Sequence, residues 1–223
     1  MPRVEEIQIV EDRTATSRCD EGFLRLKRLR ARNRRADGTF SPEYPIDLID
    51  RPTLDAVAVC LWARTPRGVE VLTRRGLRPA AYFRSGKAPP LPEREYLLFE
   101  EIVAGVIEPG ERGLDALRRR AAAEAYEEAG VQIAPERLEP LGGPFFPLAG
   151  IASEKIHLLA GEVDRGAVEG IHDAPHEGDG SPLEEGALLL WRELGAAIAA
   201  CEAGELEDAK TEIALRRLAA RLA

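Results

Sequence analysis

Cysteine is scarce in this sequence: Cys19, Cys60 and Cys201 are the only three, lie far apart and form no CxxC pair. That spacing argues against a disulfide framework or a zinc site and fits a reducing cytoplasm. Long apolar runs are also lacking. The longest, Ala56 to Ala63, is too short to cross a bilayer, and the N-terminal stretch carries Glu5, Glu6, Glu11 and Asp12 where a secretory signal would be basic and then apolar. The expectation is a cytoplasmic chain with no membrane partner. Positive charge is in deficit, 31 Lys and Arg against 39 Asp and Glu, for a formal charge of -8. A surface devoted to nucleic acid or anionic lipid is therefore not expected, whereas an acidic enzyme that gathers divalent cations remains open. No internal repeat is present.

What the chain does have is enough length, 223 residues with 44% hydrophobic content, to bury a sizeable core. Residues 1–50 read as a small β-rich arm, with strands over Val4 to Val10 and Phe23 to Leu29 and a loop from Arg32 to Pro45. Residues 51–223 read as the main domain. Leu54 to Trp62 and Val69 to Arg74 suggest a hairpin turned by Pro66 and Gly68. A Pro-rich connection, Lys87 to Pro92, leads to a strand over Tyr96 to Ala104 and a turn at Glu108-Pro109-Gly110. Gly113 to Ala129 has no Pro and no internal Gly and stops at Gly130, which predicts a helix. A strand over Lys155 to Val163, a loop from Gly166 to Gly186 and a strand over Ala187 to Trp191 follow. Two closing helices carry Leu194, Ile198, Leu206, Ile213 and Leu218 at near-helical spacing.

Glu124, Glu127 and Glu128 are spaced i, i+3, i+4 and so share one face of the predicted helix. Like charges in that arrangement repel by roughly 0.2 to 0.5 kcal/mol per pair, and a divalent cation reverses the sign. Hard oxygen ligands with room left for water and phosphate suit magnesium. Alone, the triplet reads more simply as a solvated glutamate face. It is preceded, however, by Gly105-Val106-Ile107-Glu108-Pro109-Gly110-Glu111.

The block from Gly105 to Val131 resembles the Nudix box, G-x5-E-x7-REUxEExGU. Gly105 and Glu111 match its first half, and Glu124, Glu127, Glu128, Gly130 and Val131 its second. Two departures stand out: four extra residues separate Glu111 from Glu124, and Ala123 occupies the motif's arginine position. Four residues are about one helical turn, roughly 6 Å of rise, so an insertion within the helix nearly preserves its facing. Arg120, one turn before Glu124, is then placed to supply the missing cation; the alternative is a longer loop, with Glu111 lying elsewhere.

Outside the box the chain is similar to the ADP-ribose and nucleotide-sugar branch of that family. Leu77-Arg78-Pro79-Ala80-Ala81-Tyr82 looks like its arginine-containing turn, and Pro147-Leu148-Ala149-Gly150-Ile151-Ala152-Ser153-Glu154-Lys155 like its SPG-x-x-SE loop, with Leu-Ala-Gly in place of Ser-Pro-Gly. Asp208-Ala209-Lys210-Thr211 looks like its closing helix. The resemblance implies an α/β/α sandwich with a mixed sheet and an N-terminal β-rich arm exchanged in a homodimer. It implies Mg2+, with Mn2+ as a substitute, held by the Ala104 carbonyl and by Glu124, Glu127 and Glu128. Arg78 would contact phosphate, Phe23 and Arg51 would cover the nucleotide, and Ser153 and Glu154 would also contact substrate. Glu177, in the acidic loop His176 to Gly180, would activate water, with Glu154, Asp179, Glu184 and Glu185 as competitors, and Glu127 would be catalytic as well as a metal ligand. ADP-ribose is the first substrate implied and UDP-glucose or another nucleotide sugar the alternative. A rival of another class is a catalytically weak Nudix-fold protein that binds nucleotide or RNA.

Other signals read more simply as structure. The basic run Lys27 to Arg35 fits a solvated edge strand that resists aggregation. His157 sits in an apolar strand and reads as a satisfied histidine, His172 and His176 are too isolated for zinc, and Trp62 and Trp191 fall in strand patterns as core residues.

Overall fold

The computed structural model describes residues 4–12, 15, 24–91, 93–167, 172–173 and 187–223. Contacts divide the chain into two compact units, residues 1–54 with 148–155, and residues 55–147 with 156–223.

The first unit is a three-stranded antiparallel sheet in the order β1 (Val4–Asp12), β2 (Arg25–Arg35) and β3 (Tyr44–Asp50). The sequence pattern predicts a second strand that ends at Leu29 and a loop from Arg32 to Pro45. Instead β2 runs on to Arg35 and a third strand begins at Tyr44. The difference lies in charge pairing. Lys27 meets Asp50 at 2.5 Å, Arg30 meets Glu43 at 2.9 Å, and the Tyr44 hydroxyl donates to Asn33 Oδ1 at 2.7 Å. A run that looks merely polar is thus a ladder of cross-strand pairs, each worth roughly 0.2 to 1 kcal/mol. The same pairing shows that the basic run occupies the middle strand, not an edge. Residues 148–155 join this unit beside β3, where the Ile49 amide donates to the Ile151 carbonyl at 2.7 Å.

The second unit is built on a mixed sheet. Its strands are β4 (Ala56–Thr65), β5 (Gly68–Gly76), β6 (Phe99–Glu101), β7 (Val103–Val106), β8 (Glu139–Pro140), β9 (Ile156–Glu162), β10 (His172–Asp173) and β11 (Leu188–Glu193). The order is β10-β11-β5-β4-β9-β8, with β6 paired to β5 and β7 to β4; β4 and β9 run parallel, and the other pairs are antiparallel. The helices are α1 (Pro79–Tyr82), α2 (Leu114–Ala129), α3 (Leu194–Glu202) and α4 (Ala209–Leu222).

Alternation along β4 divides the core. Val57, Val59 and Leu61 pack with Ala121, Ala125 and Ala129 of α2, whereas Ala58, Cys60 and Trp62 pack with Leu194, Ala197, Leu215 and Leu218 of α3 and α4. The result is the expected α/β sandwich, α2 on one face and α3 and α4 on the other. Trp62 is a core residue as expected, and Trp191 is partly buried against the α2 side. Among the described residues no helix is long and apolar enough to cross a membrane.

Two local features position the site. The strand expected over Tyr96 to Ala104 is split at Ile102, whose amide donates to Thr211 Oγ1 of α4 at 2.9 Å. With that donor committed to α4, the backbone leaves β5 and joins β4. Helix α2 ends at Gly130, whose φ of 66° is the left-handed conformation that glycine adopts without strain. Its buried face is alanine at 121, 125 and 129, so little side-chain bulk separates the helix from the sheet.

Candidate active site

Because α2 lies close to β7, its carboxylates reach the strand backbone. Ala104 N–H donates to Glu128 Oε2 at 3.0 Å. Glu124 lies one turn earlier, against Gly105, where a Cβ would fall 1.8 Å from the Glu124 carboxyl carbon and Oε1. Gly105 has no positive φ. The glycine is required for room, since any side chain here would occupy the space of the Glu124 carboxylate.

The four-residue extension is accommodated within this arrangement. Arg120 Nε and Nη2 donate to Glu111 at 3.2 and 3.1 Å, and its Nη1 lies 3.9 Å from Glu124 Oε1. Glu111 also accepts from the Glu108 amide at 2.8 Å, which ties the turn to the helix. Burial pushes the Glu111 carboxyl up, but the hydrogen bonds from Arg120 and Glu108 hold it below its ordinary range. Arg120 therefore bridges Glu111 and Glu124 from one turn before the motif's arginine position.

The Glu128 carboxyl is strongly perturbed. Its side chain is 12% exposed, and burial pushes it up to about 7 against the opposing pull of Arg74 and the Ala104 amide. Arg74 Nη1 lies 3.7 Å from Glu128 Oε1 and is itself buried. Gly76 makes room for it, because a Cβ there would fall 2.7 Å from Arg74 Nη1. Nearby, Glu101 of β6 accepts from Arg78 Nε at 2.5 Å through Oε1 and pairs with Lys210 of α4 through Oε2. Burial raises the Glu101 carboxyl, and Lys210 and Arg78 bring it back below its ordinary range.

The residues expected to hold a metal are thus gathered in part. Glu124 and Glu128 converge on Ala104 and Gly105, while Glu127 is half-buried on the same helix; among the described residues no three His, Cys, Asp or Glu side chains converge into a metal cage. The donors present fit a hard divalent cation that completes its shell with water and phosphate. Two buried carboxylates sit against a strand whose glycine is kept clear for one of them, and the other is held where a positive charge would relieve the cost of its ionisation.

In the first unit Arg51 and Glu154, 103 residues apart in sequence, form an ion pair. They line a pocket of about 80 Å³ with Ser153, Thr53 and the apolar Leu24, Ile49 and Leu54. The Thr53 hydroxyl is buried and has no hydrogen-bond partner among the described residues. Phe23 and Glu177 lie outside the described residues. His157 is satisfied by Asp55, Nε2 to Oδ2 at 3.1 Å.

Sequence reasoning missed Arg74, Glu101, Lys210 and Thr53 as site candidates. The first three carried a signal, being charged residues at the ends of apolar strands or in a helix cap; Thr53 carried none.

A mixed sheet seats two carboxylates of the following helix against a strand that carries a glycine, the arrangement that the resemblance to the Nudix box implies. No family model matches the chain. The chain is 32% identical over 197 residues to an ADP-ribose pyrophosphatase of Escherichia coli strain K12, covering 88% of this chain and 82% of that protein. It is 31% identical to an ADP-ribose pyrophosphatase of Haemophilus influenzae, covering 78% and 71%. Among solved structures, an ADP compounds hydrolase superposes with a TM-score of 0.55 at 14% identity over 99% of this chain and 94% of the other, a likeness of fold. The chain belongs to the Nudix pyrophosphohydrolases, in the family of ADP-ribose pyrophosphatases.

Proposed function

We propose that this enzyme hydrolyses the diphosphate bond of ADP-ribose, giving AMP and ribose 5-phosphate, with Mg2+ as its cation and Mn2+ as a substitute. The observation that carries the proposal is the pair of buried carboxylates, Glu124 and Glu128, seated on Ala104 and Gly105. The names of the relatives favour ADP-ribose over other nucleotide sugars.

The Ala104 carbonyl, Glu124 and Glu128, with Glu127 beside them, would hold the cation. When bound, a divalent cation neutralises diphosphate charge and lowers the pKa of water. Arg78, held by Glu101 through Nε, presents its guanidinium to phosphate oxygens. Glu177 accepts the proton of the attacking water. Arg51, Ser153, Glu154 and Phe23 hold the nucleoside or the sugar, and the N-terminal arm is exchanged between the subunits of a cytoplasmic homodimer.

The test is phosphate-coupled turnover of ADP-ribose, UDP-glucose and GDP-mannose, with magnesium and with chelator. Magnesium-dependent preference for ADP-ribose is expected; preference for another sugar nucleotide would reassign the substrate, and no turnover would favour a binding module. Glu177→Gln is expected to lower turnover by about 100-fold or more with metal affinity unchanged, and wild-type turnover would remove Glu177 as the base. Thr53→Val removes a buried hydroxyl that has no partner among the described residues. If that hydroxyl meets a substrate hydroxyl, KM rises by roughly tenfold, the scale of one lost hydrogen bond, while thermal stability holds or improves; an unchanged KM would take Thr53 out of the binding site.

A further inference from the structure

Helix α4 begins with a fully used cap. Asp208 accepts from the Thr211 amide at 2.9 Å and from the Thr211 hydroxyl at 2.5 Å, and the Thr211 Oγ1 accepts in turn from Ile102 N–H at 2.9 Å. This docks the first turn of α4 at the junction of β6 and β7. Lys210, between the two cap residues, is thereby carried inward; its side chain is 12% exposed, and it pairs with Asp208 Oδ1 at 3.0 Å and with Glu101 Oε2. The other Glu101 oxygen accepts from Arg78 Nε. A buried lysine and a half-exposed arginine therefore share one buried carboxylate, one oxygen each.

From this geometry we infer that Lys210 is a positioning residue for the phosphate contact, acting through Glu101 on Arg78. The inference rests on the proposed role of Arg78. By occupying Oε2, Lys210 prevents Glu101 from turning both oxygens onto the guanidinium, and it keeps a second cation beside that carboxylate. Arg78 is then held along its Nε edge, which fixes the plane in which Nη1 and Nη2 meet an anion. Without Lys210, one oxygen of a Glu101 side chain that is only 4% exposed loses this partner, and the side chain gains most by closing bidentately on Arg78. The guanidinium is then drawn off the phosphate before chemistry begins, so the loss falls on substrate binding. Simple loss of packing at the α4 cap would instead lower stability and leave KM alone.

The experiment is a double-mutant cycle on KM and kcat with ADP-ribose and magnesium, using Lys210→Met, Arg78→Ala and their combination, with urea midpoints for each. Lys210→Met is expected to raise KM by about tenfold with kcat within about threefold, Lys210→Arg to recover most of the affinity, and Lys210→Met to add little in the Arg78→Ala background, the coupling expected of residues in one network. Lys210→Gln, which keeps a donor to Glu101 without the charge, replaces Lys210→Met should the latter not fold. A lowered urea midpoint with unchanged KM, or full additivity with Arg78→Ala, would overturn the positioning role. An unchanged KM in Arg78→Ala alone would instead remove the phosphate contact on which the inference rests.

Discussion

Glu128→Gln is expected to abolish turnover and, with metal removed, to make the protein more stable. Its carboxyl is raised from 4.5 to about 7 in the folded chain, chiefly by burial. A group raised on folding contributes stability that is fully present below its unfolded value and is lost as pH climbs through its folded value. The metal-free enzyme should therefore lose about 3 kcal/mol from this group between pH 4.5 and 7. Glutamine can still accept the Ala104 amide but carries no charge to desolvate, so the stability difference between variant and wild type should open over that window. Glu100, Glu101 and Glu111 are held low and act in the opposite sense, losing stability as pH falls, and they cancel in the difference. Activity goes the other way. If Glu128 is one of the carboxylates that would hold the cation, as proposed, its loss should lower turnover by about three orders of magnitude or more. Chelated samples unfolded in urea at pH 5 and pH 8, beside ADP-ribose turnover, check both halves.

The second large effect is expected from one methyl group. In Gly105→Ala the new Cβ would stand 1.8 Å from the Glu124 carboxyl carbon, a position that no packing tolerates. The obstructing atoms are the tip of a flexible side chain, and Gly105 has no positive φ, so the backbone is not asked to move. The fold should change in stability by no more than about 1 kcal/mol. Glu124, however, is evicted from the strand, and displacement of a reacting geometry by an ångström costs about 100-fold. A folded, cooperative protein whose kcat/KM has fallen by that factor is the expected result. Near-wild-type activity would mean that the Glu124 carboxylate is not needed at that place.

Much of the site was legible because its residues are local. The carboxylates of Glu124 and Glu128, the glycine that Glu124 packs on and the glycines that bound α2 lie within one short block whose spacing is set by helical geometry. Arg120 was also legible, since an arginine one turn before Glu124 faces the same way. Harder to read were features that depend on partners far along the chain. Strand β2 looks polar until Asp50 and Glu43 are brought beside Lys27 and Arg30. The split at Ile102 depends on a hydroxyl 109 residues away. Arg74, Glu101 and Lys210 are buried charges that a pattern of apolar alternation treats as strand or helix ends, and only the partners that the fold brings to them, Glu128 to Arg74 and Lys210 and Arg78 to Glu101, give them meaning. Arg51 and Glu154 came from the resemblance separately; that they share one pocket with Thr53 is a product of the fold.

The central claim, that Glu124 and Glu128 beside Ala104 and Gly105 hold the divalent cation, is tested most directly by titrating the metal-free protein with Mn2+ and following the free ion by electron paramagnetic resonance. Wild type should bind Mn2+ saturably, and Glu124→Gln and Glu128→Gln should each lose most of that affinity while remaining folded. Binding of equal strength in wild type and in both variants would place the cation elsewhere and contradict the account.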